Sequence, residues 1–169
     1  MKEKYEVNTI FQSFHKLIQN MFQSSICILS TDNDREYFSH PLTQYLTTHG
    51  IFHQSTCSYT SQQNGVAERK KCHLLEVVRS LMLASSTPNR YWGEAVITAS
   101  YLINRLPSNI LNYQTPLHNL MSIFPHVGIL NTLSPKVFGC VVNVYQTSPN
   151  RHKLEPRAFK CIFIGYSTT

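Results

Sequence analysis

Ile26-Cys27-Ile28-Leu29 is a short apolar run without alternation, and Ser30-Thr31-Asp32-Asn33-Asp34 ends it in a polar turn. A run of this kind predicts a strand buried on both faces, and such a strand needs helices to cover it. The surrounding chain supplies them. Over residues 3–22, Val7, Ile10, Phe11, Phe14, Leu17, Ile18 and Phe22 recur at helical spacing. Leu42, Tyr45 and Leu46 predict a short helix that stops at Gly50, and Ile51-Phe52-His53 predicts a second short strand. After a polar loop from Gln54 to Ser61, the longest helix runs from Gln62 to about Ala84, with Leu74, Val77, Val78, Leu81 and Met82 as its apolar stripe. Thr87-Pro88 breaks it. A further helix follows from about Asn89 to Leu106, ended by Pro107, and Thr115-Pro116 opens another with Thr as cap and Pro in the first turn. Strand and helix alternate, so the body is α/β.

The pattern changes near Pro135. Val137-Phe138, Val141 to Tyr145 and Phe159 to Tyr166 read as strands divided by polar turns. This gives a body over residues 1–125, a linker over 126–135 and the start of a β module over 136–169.

Apolar residues make up 42% of the 169 and charged residues 14%, enough for a packed core. The most apolar stretch, Ala95 to Ile103, is broken by Thr98 and Ser100 and is far shorter than the roughly 20 residues of a membrane helix. Met1 is followed by Lys, Glu, Lys and Tyr, unlike the apolar core of a secretory signal. Cys27, Cys57, Cys72, Cys140 and Cys161 are odd in number and form no C-x-x-C pair, the usage of a reducing compartment. The expected location is intracellular, in nucleus or cytoplasm. The net charge of +6 is unevenly spread. Residues 1–66 hold four Lys/Arg against five acids, whereas residues 67–169 hold eleven against four. A basic half of this kind suits a polyanion, nucleic acid first among them.

Asp32 ends the apolar strand, where open α/β sheets place their ligands, and Glu68 lies near the start of the long helix. Two carboxylates from different elements suit divalent cations in phosphoryl transfer, and magnesium or manganese favours such hard oxygens. Alone, a carboxylate at a strand end more often caps a turn.

The flanking residues are more specific. Thr31-Asp32-Asn33-Asp34-Arg35-Glu36-Tyr37 resembles the signature around the second catalytic aspartate of copia-type retrotransposon integrases. Gln62 to Lys70, with Asn64, Gly65 and Glu68, resembles the segment around their catalytic glutamate, and the thirty-five intervening residues, 33 to 67, match that family's interval. Tyr91-Trp92-Gly93-Glu94-Ala95, Tyr101 to Pro107, Phe138-Gly139-Cys140, Lys153 to Arg157 and Phe163-Ile164-Gly165-Tyr166 follow in the family's order. The resemblance implies a ribonuclease-H-like fold, followed by the start of a Src-homology-three-like β-barrel. It also implies magnesium- or manganese-dependent DNA strand transfer, DNA as partner, self-association, and neither a membrane nor a small-molecule substrate. Asp32 and Glu68 are then the catalytic and metal-holding residues. The family's first aspartate lies on strands expected upstream of Met1; Glu3 and Glu6 do not replace it, so the chain alone is expected to be inactive. The alternative is a non-catalytic remnant that binds DNA or protein.

Three departures from the family stand out: Asp34-Arg35 for Gly-Gly, Ser61 for proline and Cys72 for arginine. On the long helix, Asn64, Glu68, Cys72, Leu75 and Arg79 share one face. The residues expected to touch DNA are Tyr59, Asn64, Arg69, Lys70, Lys71 and Arg79; a solvated charged face is the competing reading of the basic ones. Trp92, Tyr91 and Tyr101 are expected in the core. Arg151, Lys153, Arg157 and Lys160 lie among the late strands, where basic turns could meet phosphate. The eight histidines lack zinc spacing, since His49 and His53 straddle Gly50.

Overall fold

A computed structural model describes residues 6–56, 65–127, 133–145, 147 and 156–166. The chain divides into two compact units, Met1–Lys70 with Phe124–Gly128, and Lys71–Ile123 with Ile129–Thr169.

In the first unit α1 spans Val7–Phe22, and Gln23 closes it in the left-handed conformation by donating its N–H to Gln19 at 3.0 Å. Strand β1 (Ile28–Thr31), helix α2 (His40–Thr48) and strand β2 (Phe52–Ser55) follow, and β1 pairs with β2 in parallel, Ile28 opposite Phe52 and Thr31 opposite Ser55. Pro41 sits in the first turn of α2, where its missing N–H costs nothing, and Gly50, at φ +65°, turns the chain into β2. Val7, Leu42, Leu46 and Ile51 form the core, with Phe11, Ile26, Leu29 and Tyr37 packed against it. Leu42 and Leu46 are buried almost completely and each contributes about 1.5–3 kcal/mol.

The expectation of a strand buried on both faces is corrected here. Among the described residues β1 has β2 as its sole neighbour, and Ile28 and Phe52 are 57% and 66% exposed. A two-stranded sheet leaves an open edge on each strand, and α1 and α2 cover only part of it.

In the second unit α3 (Gly65–Ala84, which begins in the first unit) packs with α4 (Trp92–Ile103); a short 3-10 turn, Asn89–Tyr91, precedes α4. Val78, Ala95, Ala99 and Phe138 are the core, ringed by Leu74, Val77, Leu81, Met82, Val96 and Ile164. The small side chains of Ala95 and Ala99 let α4 approach closely. Helix α5 (Pro116–Ile123) is capped as expected, His118 donating its N–H to the Thr115 hydroxyl at 3.1 Å. Strands β3 (Val141–Tyr145) and β4 (Ala158–Ile162) form an antiparallel ribbon.

Val137-Phe138 is not a strand. Gly139, at φ +79°, donates to the Phe163 carbonyl at 2.8 Å, and Phe163 donates to the Cys140 carbonyl at 2.9 Å. Two residues thus oppose one, with glycine left-handed at the first position: a G1 bulge just before β3, next to Phe138 in the helical core. β4 ends at Ile162, before the predicted Tyr166, because Ile164 packs on the helices and Gly165, at φ +144°, passes beside Thr98. Trp92, the first residue of α4, is 63% exposed, contrary to its expected core place. Tyr101 is half-buried and stacks on Tyr166 with centroids 3.7 Å apart, while the Arg105 guanidinium lies 3.5 Å over its other side. The hydroxyl of Tyr101 donates to the Leu133 carbonyl at 2.6 Å, and that of Tyr166 accepts the Lys136 N–H at 2.7 Å.

Candidate catalytic and nucleic-acid site

Asp32 follows the last residue of β1 and is half-buried. Its Oδ1 accepts the Asp34 N–H at 3.3 Å, a local turn that holds the carboxylate at the strand end. Behind it the buried Thr31 hydroxyl lies 3.0 Å from the Asp32 carbonyl and 2.8 Å from His53 Nε2. His53 stands on β2 opposite Leu29 and packs on Phe38 at 5.2 Å. The β1–β2 register therefore fixes the backbone of Asp32 through a threonine and a histidine that sequence reading left out. The signal for them was the strand pairing, which no local pattern encodes. A cleft of about 870 Å³ opens beside this turn, lined by Asn8, Asn33, Asp34, Arg35, Glu36 and Ser39 among others. Asp34 and Arg35, the residues in place of Gly-Gly, form part of its wall. Asp34 is extended, at φ −66°, so this turn asks for no glycine conformation there.

Glu68 is exposed in the first turn of α3, where a carboxylate also meets the positive end of the helix dipole. Arg69, Lys70, Lys71 and Arg79 are all exposed on the same helix, as is Cys72. Val78 is the buried residue of α3, whereas Glu68, Cys72, Leu75 and Arg79, which share one face, are all exposed. Tyr59 and Asn64, and the late basic residues Arg151 and Lys153, lie outside the described residues; Arg157 and Lys160 are exposed on and beside β4. Asp32 and Glu68 are hard oxygen donors of the type magnesium takes. Among the described residues no group of three His, Cys, Asp or Glu side chains gathers to hold a metal. The fit is thus right in donor type and carries two carboxylates.

A second cluster, also missed from sequence, joins α1 to α2. His15 is 1% exposed, its Nδ1 lies 3.0 Å from the Tyr45 hydroxyl, and its ring meets His49 edge to face at 5.3 Å. Burial, and then the neighbouring His49, lowers the His15 pKa below the ordinary histidine value.

Comparison with known proteins places this geometry. Residues 140–169 match the family model of the retroviral polymerase SH3-like domain. The chain is 39% identical over its whole length to the Retrovirus-related Pol polyprotein from transposon RE2 of Arabidopsis thaliana, of which it covers 11%. It is 38% identical, over 98% of its length, to the corresponding polyprotein from transposon TNT 1-94 of Nicotiana tabacum, of which it covers 12%. The chain is a relative of the copia-type Pol polyproteins. It spans about a tenth of the length of those relatives, and the match runs from end to end. The HTLV-2 integrase catalytic core domain, solved in complex with magnesium in a trimeric form, is 18% identical, with a TM-score of 0.51 over 69% of this chain and 70% of that one. The simian T-cell lymphotropic virus intasome, in complex with PP2A regulatory subunit B56 gamma, is 20% identical, with a TM-score of 0.57 over 96% of this chain and 54% of that one. The fold of this segment is accordingly ribonuclease-H-like with an SH3-like portion. Among the described residues no helix is long and apolar enough to cross a membrane.

Proposed function

We propose that this segment serves DNA integration as the part of a retrotransposon integrase that holds DNA and supplies two of the metal-binding carboxylates. The observation that carries the reading is the pairing of motif and place: Asp32 ends β1, and Glu68 opens a helix whose exposed residues include Arg69, Lys70, Lys71 and Arg79. These cations neutralise phosphates, while Asp32 and Glu68 would hold magnesium or manganese. When bound, such an ion stabilises the charge that develops on the oxygens of a displaced phosphodiester. Of the nine acids in the chain, only these two stand at the catalytic positions of the motifs it resembles, and a pair of carboxylates holds a second ion poorly. The chain alone therefore binds DNA without joining it. The trimeric form of the HTLV-2 core supports self-association of this chain as well.

The test is a salt titration on two unrelated duplexes, comparing the unaltered chain with Lys70→Ala/Lys71→Ala. Binding through phosphates gives a log–log slope of about −0.9 per contact, so the double change flattens it by about 1.8. Both duplexes bind alike, because the cations named here meet phosphates, which carry no sequence information. A flat salt response, or a tenfold preference for one duplex, would refute DNA binding of this kind.

A further inference from the structure

The connection between α4 and α5 is a stiff knuckle. Ser108 donates its N–H to Gln114 at 3.1 Å, Tyr113 donates to Ser108 at 2.9 Å, and Leu117, in α5, donates to Asn104 at 3.0 Å. Within it Gln114 donates to Leu111 at 3.0 Å across Asn112 and Tyr113, both left-handed at φ 51° and 61°. That is a type I′ turn, whose second central position favours glycine strongly because a Cβ there meets backbone. Asn112 suits its place. Tyr113 does not, since a bulky residue at positive φ is strained and persists only where something over-determines it.

Among the described residues the Tyr113 side chain has no hydrogen-bond or ring partner. Tyr113 is 75% exposed and Ile110, in the same connection, is 93% exposed; Leu106, which leads into it, is 59% exposed. Strain and apolar exposure, two independent observations, therefore fall on one rigid element. Its charge narrows the partner. Between Arg105 and Lys136 there is no Lys, Arg, Asp or Glu, in a chain of net charge +6. A stretch without Lys or Arg releases no counterions from a phosphate backbone, which argues against DNA here. Two copies of a cationic chain repel, and they meet at least cost where neither carries charge.

We propose that a second copy of this chain docks on the knuckle, each copy burying Ile110 and Tyr113 against the other. The assignment rests on the self-association put forward above and gives it a surface. A tyrosine on a stiff turn is suited to the centre of such a contact, because it brings area with little rotamer entropy to lose. A self-complementary patch of this composition leaves no charge unpaired.

Sedimentation equilibrium of the full chain over a concentration series tests it, with Tyr113→Gly, Ile110→Asn and, on the exposed stripe of α1, Phe14→Asn. Tyr113→Gly relieves the backbone and removes the ring, so its melting temperature holds or rises while its dissociation constant weakens tenfold or more. Ile110→Asn weakens it comparably with an unchanged melt, and Phe14→Asn leaves it alone. Added salt strengthens association by screening the repulsion. If both knuckle variants associate like the unaltered chain and Phe14→Asn does not, the knuckle is wrong and self-association stands. A chain that stays monomeric at every concentration overturns both.

Discussion

Gly139→Ala should be among the most damaging single-methyl changes in this chain. The glycine holds the first position of the bulge at φ +79°, and a Cβ built there would fall inside the Ser85 side chain and lie 3.3 Å from Ser85 Cα. The left-handed backbone alone costs alanine about 1 kcal/mol. The collision adds about 1–3 kcal/mol, since Ser85 is held by its own hydroxyl, 2.7 Å from the Leu81 carbonyl and 2.6 Å from the Thr87 hydroxyl. The expected loss is about 2–4 kcal/mol. Because Phe138 sits next to the bulge in the core, the loss falls on the packing of α3 and α4. Urea unfolding followed by circular dichroism should move its midpoint down by about 1–2 M for a slope near 2 kcal/mol/M. Ser85→Gly removes the obstacle but not the dihedral cost. A double-mutant cycle should therefore recover at least about 1 kcal/mol and leave the rest. A loss under about 1 kcal/mol, or strict additivity with Ser85→Gly, would show that the bulge does not pin the ribbon to the helices.

Three further outcomes are expected. The purified chain with magnesium or manganese should give no strand transfer on labelled duplex; a product that disappears in Glu68→Gln would show that two carboxylates suffice. Burial lowers the His15 pKa, so the unfolded chain takes up the proton first, and stability present above about pH 6.5 is lost as pH falls, at up to about 1.4 kcal/mol per unit. Denaturation midpoints between pH 7.5 and 5 should show this slope and lose part of it in His15→Phe. Finally, Ile28 at the open edge of β1 is 57% exposed, so Ile28→Lys should slow heat-induced aggregation several-fold by light scattering, at little cost to the melt. Unchanged aggregation would place the sticky surface elsewhere.

Where the fold was legible in sequence, the signal was local. The stripe of Leu74, Val77, Val78, Leu81 and Met82 marked α3, and Thr115-Pro116 marked the start of α5, because helix period and capping chemistry are written within a few residues. The failures were non-local. Ile26 to Leu29 carries the composition of a central strand, yet its burial depends on what lies beside it, and here that is β2 alone among the described residues. Phe138 and Ile164 read as strand residues by type, but Gly139 and Gly165 redirect both into a helical core. Apolarity records that a residue will be buried; it does not record against which element.

The same division runs through the site. Asp32 and Glu68 could be proposed from sequence because their flanking residues are contiguous, and the structure puts them at a strand end and in a first helical turn, where α/β folds present charge. The residues that fix Asp32 could not. Thr31 touches His53 only because β1 and β2 pair with Leu29 opposite His53, a register set across twenty-two residues. His15 meets Tyr45 and His49 only because α1 crosses α2. Tyr113 is the opposite case. It breaks a local rule that the sequence does show, an Asn followed by a residue where a type I′ turn favours glycine, but the rule applies only once the hydrogen bond from Gln114 to Leu111 is known. Strain becomes visible when a local preference and a tertiary constraint disagree, so it has to be read from the structure, and the exposed ring then says which way the disagreement points.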